Sequence, residues 1–325
     1  MPTAASATVD PRSTFHIILN AGSGRHDAMD TRNIIEQRLT AAGRHYELTM
    51  VEQAGRLDDI ARRTLAQAQQ QQGVVVIAGG DGAINAVTQV VLGSGCPLGV
   101  LPQGTFNYFA RTHGIPCDTL QAVEALLTAR ITPVQVGLVN DRVFLVNASL
   151  GLYPQLLEDR EAYKQQYGRS RLVALVSGLV SVLGHHRQLR ISLEHAGQVR
   201  DMRTPTLFVG NNPLQLAQIG IPLIHALAQG ELAAIMPKPV GTLALLGLML
   251  RGAFGQLGET ENVVSFGFKH LRVGSRQFYR RRRVKVATDG EIVWLLAPLE
   301  FRVAPEPLYL LKPATLPAIG SDPDT

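Results

Sequence analysis

The sequence predicts an α/β protein in two parts, a parallel-sheet domain over residues 15–132 and a β-rich sandwich domain over residues 133–313. Short tails are expected at residues 1–14 and 314–325. Three observations carry this. Strand-like and helix-like patterns alternate through roughly the first 130 residues, as repeated βα units do. Val74–Ala78 is an unbroken β-branched and apolar run, the pattern of a central parallel strand buried on both faces. Beyond about Thr132 the pattern changes to short alternating segments separated by turn residues, as in antiparallel sheets.

Phe15–Leu19 reads as the first strand and is followed by the small-residue turn Asn20-Ala21-Gly22-Ser23-Gly24. A helix starts near Asp30 or Thr31, spaces Ile34, Ile35, Leu39 and Ala42 along one side, and stops at Gly43. Tyr46–Val51 is the next strand. Leu57, Ile60, Ala61, Leu65 and Ala68 then mark a second amphipathic helix, whose Gln-rich end reads as a solvated terminus. Val74–Ala78 ends in Gly79-Gly80-Asp81-Gly82 and re-enters a helix bearing Ile84, Val87 and Val91. Leu98–Leu101 leads through Pro102-Gln103-Gly104-Thr105 into a helix carrying Phe106, Phe109 and Ala110, and Asp118 is an N-cap for a helix over Thr119–Ala129. In the second part the strand-like segments are Arg142–Ser149, Leu189–Leu193, Thr206–Asn211, Glu231–Met236, Val284–Ala287, Ile292–Leu296, Leu299–Val303 and Leu308–Leu311. Helical insertions are expected near Arg169–Gly184 and Val240–Leu257.

The chain of 325 residues has the length for two domains with cores of their own, and 46% hydrophobic with 18% charged residues excludes a disordered chain. Cys96 and Cys117 make neither a disulfide framework nor a zinc pattern, which suggests a reducing, cytoplasmic setting. Met1–Thr14 lacks the apolar core of a secretory signal. Leu172–Leu183 and Val240–Leu250 are shorter than the roughly 20 residues that cross a bilayer, and read as buried or interfacial helices. The net charge of +5 is uneven: Lys269, Arg272, Arg276, Arg280, Arg281, Arg282, Arg283 and Lys285 crowd one segment without an acidic residue. Such a strip points to an anionic partner at one surface, not to general nucleic-acid binding.

Chemistry concentrates in the glycine-rich turns. In a parallel sheet, ligands collect at the carboxyl ends of the strands, where all three turns fall. The glycines of Gly79-Gly80-Asp81-Gly82 let backbone N–H groups approach a phosphate, and the following helix adds its positive end. Asp81 would repel phosphate unless a cation lies between them, so it implies a Mg²⁺-nucleotide or a hydroxyl to be deprotonated. The loop is neither GxGxxG nor GxxxxGK[ST], which sets aside ordinary Rossmann and P-loop readings.

The segments Asn20–Gly24, Gly79–Gly82 and Gly104–Arg111 resemble the NPxSG, GGDGT and GTxNDFAR signatures of the diacylglycerol kinase catalytic-domain family. That family takes in sphingosine kinases and bacterial lipid kinases, and is distantly similar to NAD kinases and phosphofructokinases. Val143–Pro154, Val209–Asn212 and Asp289-Gly290-Glu291 resemble later blocks, in the expected order, from about Phe15 to Pro313. The resemblance implies a nucleotide-binding first domain, a β-rich lipid-substrate domain, and ATP with Mg²⁺ as cofactors. It further implies that Asn20, Ser23 and Gly24 line the ATP phosphates or ribose, and that Gly79, Gly80, Asp81 and Gly82 hold the phosphates directly or through Mg²⁺. Gly104, Thr105 and Asn107 would complete the nucleotide pocket. Asp289 and Glu291 match the family's DGE; Glu291 is favoured as the base for the lipid hydroxyl, with Asp289 orienting it or helping metal. By its residues alone Asp289-Gly290-Glu291 is also the turn of a hairpin.

Several positions depart from the family pattern. Ala21 stands for proline, Ala83 for the threonine or serine after GGDG, and Tyr108 for the aspartate of GTxND. Ala228-Gln229-Gly230 stands where many bacterial members have a carboxylate-rich turn near a structural Mg²⁺. His185-His186 is expected as a surface pair and His113 as a helix C-terminal residue. The expected function is transfer of the γ-phosphoryl of ATP to a lipid hydroxyl, diacylglycerol first. A sphingoid-base kinase and a catalytically weak nucleotide-sensing module stand as alternatives. Arg272–Lys285, with the apolar Val240–Leu257 helix, is expected to dock on an anionic membrane. Peripheral membrane association in the cytoplasm follows, and a homodimer is compatible with the chain.

Overall fold

The structure, a computed structural model, describes residues 7–22, 28–154, 157–158, 188–274 and 283–314. Outside these lie Ser23, Gly24, the expected helix at Arg169–Gly184, His185-His186, Arg276 and Arg280–Arg282 of the basic strip, and most of both tails. Two compact units divide the chain: residues 1–134 with 305–325, and residues 135–304.

The first unit opens with strands β1 (Ala7–Thr8) and β2 (Phe15–Asn20), helix α1 (Ala28–Ala41), β3 (Tyr46–Val51) and α2 (Leu57–Gln70). β4 (Val74–Gly79), α3 (Asp81–Val91), β5 (Leu98–Pro102), α4 (Tyr108–Thr112), α5 (Thr119–Leu127) and β6 (Arg130–Val134) follow. The second unit holds β7 (Gly137–Val139), β8 (Arg142–Phe144), β9 (Asn147–Gly151), β10 (Leu189–His195), β11 (Gln198–Thr204) and β12 (Thr206–Gly210). It continues with α6 (Pro213–Gln218), α7 (Ile224–Ala228), β13 (Leu232–Pro237), α8 (Thr242–Ala253), β14 (Val263–Phe268) and β15 (His270–Gly274). β16 (Arg283–Thr288), β17 (Glu291–Leu296) and β18 (Leu299–Val303) complete it, and β19 (Leu308–Lys312) returns to the first.

The first sheet runs β1-β6-β19-β5-β4-β2-β3. The pairs β2/β3, β2/β4, β4/β5 and β19/β5 are parallel, while β6 runs antiparallel to β19 and to β1. Every residue of β4 is buried, which is why its sequence carries no polar alternation. Gly43, with φ +63°, ends the first helix, and the Asp118 side chain accepts the Gln121 N–H at the start of α5.

Two expectations are corrected here. Leu308–Leu311, assigned from sequence to the β-rich domain, is instead a strand of the first sheet, paired with β6 and β5. Its Leu308, Leu310 and Leu311 are buried there, and one apolar strand is equally satisfied by either sheet until its neighbours are known. The tail expected at residues 1–14 is also shorter than that, because Ala7 and Thr8 pair with Ile131 and Arg130. Arg44 helps to hold this segment by donating from Nη1 to the Asp10 carbonyl at 2.7 Å.

The second unit is a sandwich of two antiparallel six-stranded sheets, β11-β10-β15-β18-β7-β8 and β14-β13-β12-β9-β16-β17. Phe144, Leu193, Leu271 and Phe301 of the former pack on Leu150, Leu207, Met236, Phe268 and Val286 of the latter in one core. Helix α8 lies within the expected Val240–Leu257 segment and buries Leu245 beside Leu152. β11 went unread in the sequence because QVRDMRT has no apolar alternation; it is an edge strand, largely exposed.

Arg142–Ser149, read as one strand, is two. β8 pairs in one sheet and β9 in the other, with Leu145-Val146 crossing between them. The cause lies at the candidate site.

Candidate active site

In the first unit the carboxyl ends of β2, β4 and β5 deliver Asn20, Gly79 and Pro102 to one sheet edge, in register as neighbours. Gly80 is the extended N-cap of α3, with φ −80° and ψ 176°, and makes no side-chain cap. Glycine is required by close approach: a Cβ on Gly104 would lie 3.0 Å from the Gly80 Cα and 2.8 Å from Asn107 Oδ1. A Cβ on Gly80 would lie 3.3 Å from the Gly104 Cα. The two glycine loops therefore touch backbone to backbone. The N-terminal N–H groups of α3, which have no partner within the helix, open at this edge. Small, Cβ-free walls beside such a helix end make an anion cradle.

Asn107 locks the second loop. It sits in the left-handed region at φ +50°, is 5% exposed, and bonds Gly104 twice. Its Oδ1 accepts the Gly104 N–H at 2.9 Å, and its Nδ2 donates to the Gly104 carbonyl at 3.0 Å. Asp81 reaches across to the same loop and accepts the N–H groups of Tyr108 and Phe109 at 3.4 and 3.3 Å. Burial raises the Asp81 carboxyl above its ordinary range, and the backbone N–H groups of Phe109, Tyr108 and Asn107 oppose that rise only in part. A charge held at that cost is ready to accept a cation.

Ala83 packs toward Gly79, where a Cβ would fall 2.8 Å from its own, so the loss of a hydroxyl at this position goes with a close-packed turn. Thr105 is exposed. Gln103 was not singled out from sequence. It is buried, its N–H donates to the Gly79 carbonyl at 2.9 Å, and its side chain links Thr31 of α1 to Thr119 of α5. The available signal was a long amide between an apolar strand and a glycine turn, where exposed polar residues are the usual occupants.

In the second unit Asp289 and Gly290 form the two-residue turn between β16 and β17, both at positive φ, +48° and +87°. The Asp289 carboxylate accepts three consecutive backbone N–H groups: Leu145 at 2.7 Å on Oδ2, and Val146 and Asn147 at 2.8 and 2.9 Å on Oδ1. These are the amides that an unbroken Arg142–Ser149 strand would have used in its ladder, so this grip is what parts β8 from β9. Asp289 is thus a fastener of the chain. Glu291 is free of such bonds, with a side chain 59% exposed and Oε2 3.5 Å from Arg142 Nη2. Of the DGE pair, Glu291 has the more exposed carboxylate.

Asn20, Gly79, Gly80, Asp81, Gly82, Gly104 and Asn107 are thus brought to one edge of the first unit, whereas Asp289 and Glu291 belong to the second. Among the described residues no cluster of three or more His, Cys, Asp or Glu side chains could hold a metal ion. A divalent cation carried by nucleotide phosphates, with Asp81 as one carboxylate, fits the donors that are present.

Comparisons with known proteins agree with this arrangement. Residues 14–139 match the diacylglycerol kinase catalytic domain. A Staphylococcus epidermidis protein provisionally named a lipid kinase is 28% identical over 243 residues, spanning 73% of this chain and 76% of its own. A similarly named Staphylococcus haemolyticus protein is 26% identical over 295 residues, 89% of this chain and 92% of its own. In fold, a crystal structure from Bacillus anthracis described as that of a provisional diacylglycerol kinase superposes with a TM-score of 0.71 at 18% identity, covering 94% of this chain and 99% of that one. No described helix is long and apolar enough to cross a membrane. Through residues 14–139 the chain matches the diacylglycerol kinase catalytic domain, and over most of its length it is similar to bacterial proteins named as lipid kinases.

Proposed function

We propose that the protein transfers the γ-phosphoryl of ATP to the hydroxyl of a lipid, with diacylglycerol the favoured acceptor. The observation that carries this reading is the paired glycine loop at the N-terminus of α3 with the buried Asp81 beside it. Phosphoryl transfer asks chiefly for positioning and charge neutralisation, and this edge supplies both. Gly79, Gly80, Gly82 and Gly104 admit the phosphates, and Asp81 would hold the Mg²⁺ carried by the nucleotide, which would neutralise phosphate charge. Glu291 accepts the proton of the lipid hydroxyl as its oxygen attacks the γ-phosphorus. The bond from that phosphorus to the bridging oxygen breaks, and ADP leaves.

An anionic membrane surface is the proposed source of the lipid. Lys285 stands 5.2 Å from the centre of the Trp294 ring and pairs with Glu158, and Trp294 and Leu296 are exposed along the edge strand β17. Aromatic and aliphatic groups beside Lys and Arg suit a lipid interface. Arg272 contributes less, being engaged by Glu194 and Glu300.

The test incubates the protein with labelled ATP, Mg²⁺ and mixed lipid vesicles and identifies the phosphorylated lipid by mass spectrometry. Phosphatidic acid is the expected product. A phosphorylated sphingoid base would change the acceptor, and ATP binding without any lipid product would favour a nucleotide sensor. Glu291→Gln is expected to lose turnover at least 100-fold with unchanged ATP affinity; undiminished turnover removes Glu291 from the role of base.

A further inference from the structure

Beside the glycine loops stand two aromatic rings that the phosphate chemistry does not use. Phe106 is 56% exposed, and its ring lies on that of Tyr108 with centroids 5.7 Å apart and planes 10° from parallel. Asn107, between them, is fixed by its left-handed backbone and its two bonds to Gly104. The Tyr108 N–H is fixed on Asp81. Both ends of the pair are therefore held by the phosphate loops themselves. Tyr108 covers one face of Phe106, and the exposure of Phe106 leaves its other face open.

A half-exposed phenyl ring in a stacked pair forgoes part of the burial that would stabilise the fold. Its position gives that exposure a use. Phe106 follows Gly104 by two residues, at most about 7 Å of chain, and Gly104 abuts Gly80. An aromatic surface at that remove from a phosphate cradle lies where the ribose of a bound nucleotide would carry its base. The exposed ring of Phe106 is bordered in the chain by the polar Thr105 and Asn107, while the apolar Phe109 and Ala110 beyond Tyr108 are buried, which suits a polar heterocycle better than an acyl chain. We propose that Phe106, backed by Tyr108, is the platform on which the purine base of the nucleotide stacks. This rests on the nucleotide reading of the same edge. A π-face accepts any base, so the platform supplies affinity with little discrimination between purines.

The test measures binding of Mg²⁺-ATP, Mg²⁺-GTP and Mg²⁺-tripolyphosphate by titration calorimetry to wild type, Phe106→Ala, Phe106→Leu and Phe106→Trp. Loss of one stacked base weakens binding by about 5- to 150-fold. That loss is expected for ATP and GTP with Phe106→Ala, and in large part with Phe106→Leu, which keeps the bulk but not the π-face. Phe106→Trp retains the affinity, and tripolyphosphate binds all four proteins alike. Equal loss of ATP and tripolyphosphate would make Phe106 a support of the phosphate loop and overturn the proposal. Unchanged ATP affinity with weakened binding to anionic vesicles would make it a membrane contact and overturn it as well. Wild type that binds no ATP overturns the nucleotide reading together with the platform. Wild type that binds ATP equally with its variants overturns the platform alone.

Discussion

Replacing Asp289 by asparagine separates holding the chain from doing chemistry. Asparagine keeps an oxygen where Oδ1 accepts Val146 and Asn147, but it turns an amide NH₂ toward the Leu145 N–H, which Oδ2 now accepts at 2.7 Å. One hydrogen bond to a charged acceptor is lost, about 1.5–3 kcal/mol, and a donor meets a donor. For a unit of this size that corresponds to a fall in Tm of about 3–12 °C. Urea unfolding followed by Trp294 fluorescence reports on the second unit, because that is the chain's single tryptophan. A lower midpoint is expected for Asp289→Asn, and a lower one still for Asp289→Ala, which abandons all three amides. Mg²⁺-ATP affinity should be unchanged in both, since the nucleotide loops belong to the other unit. Glu291→Gln, by contrast, breaks only an exposed ion pair worth about 0–1 kcal/mol and should unfold with wild type. If Asp289→Asn unfolded at the wild-type midpoint yet lost turnover as Glu291→Gln does, Asp289 would be acting on the reaction and the fastening argument would be refuted.

Gly104→Ala places a methyl 2.8 Å from Asn107 Oδ1 and 3.0 Å from the Gly80 Cα, so one of the two loops must move. We expect destabilisation of about 1–3 kcal/mol and at least a tenfold loss of Mg²⁺-ATP affinity, read by thermal melting and calorimetry. His113 caps α4 with its ring edge-on to Phe109 at 4.7 Å, and burial, aided by Lys312, lowers its pKa to about 3. Folded protein thus binds fewer protons here than unfolded protein, whose histidine titrates near 6.5, so this contribution is full above that value and is lost as the pH falls toward about 3. Between pH 7.5 and 5.5 the loss is at most about 1.4 kcal/mol, set by the unfolded histidine gaining its proton across that range, and the partial exposure of His113 lowers it further. His113→Phe should flatten the stability profile over that range in urea titrations; an unaltered slope would show that the ring protonates freely in the fold.

Much of the first unit was legible because its signals are local. β4 announces itself as five consecutive apolar residues, Gly43 stops α1 by its own backbone freedom, and Asp118 caps α5 from the adjacent position. The glycine loops were legible for the same reason: the need for Cβ-free backbone at Gly79, Gly80 and Gly104 is written in the residue types themselves. In the second unit Asp289-Gly290 was readable as a hairpin turn, since both positive φ angles fall on residues that tolerate them.

What sequence left undecided depends on partners far along the chain. Arg142–Ser149 has the pattern of one strand, and a carboxylate more than 140 residues away, gripping Leu145, Val146 and Asn147, holds the break that divides it between two sheets. The same contact distinguished Asp289 from Glu291, two carboxylates that the chain presents side by side. Leu308–Lys312 had to find β6 and β5 before its sheet was fixed, because an apolar strand satisfies any core that accepts it. Gln103 became a bridge between α1 and α5 only through Thr31 and Thr119. By itself the sequence determined that Cβ-free turns would stand at the ends of parallel strands, since backbone sterics are local. Which carboxylate is bound and which is open was decided by tertiary structure, because hydrogen bonds close where the fold brings donor and acceptor together.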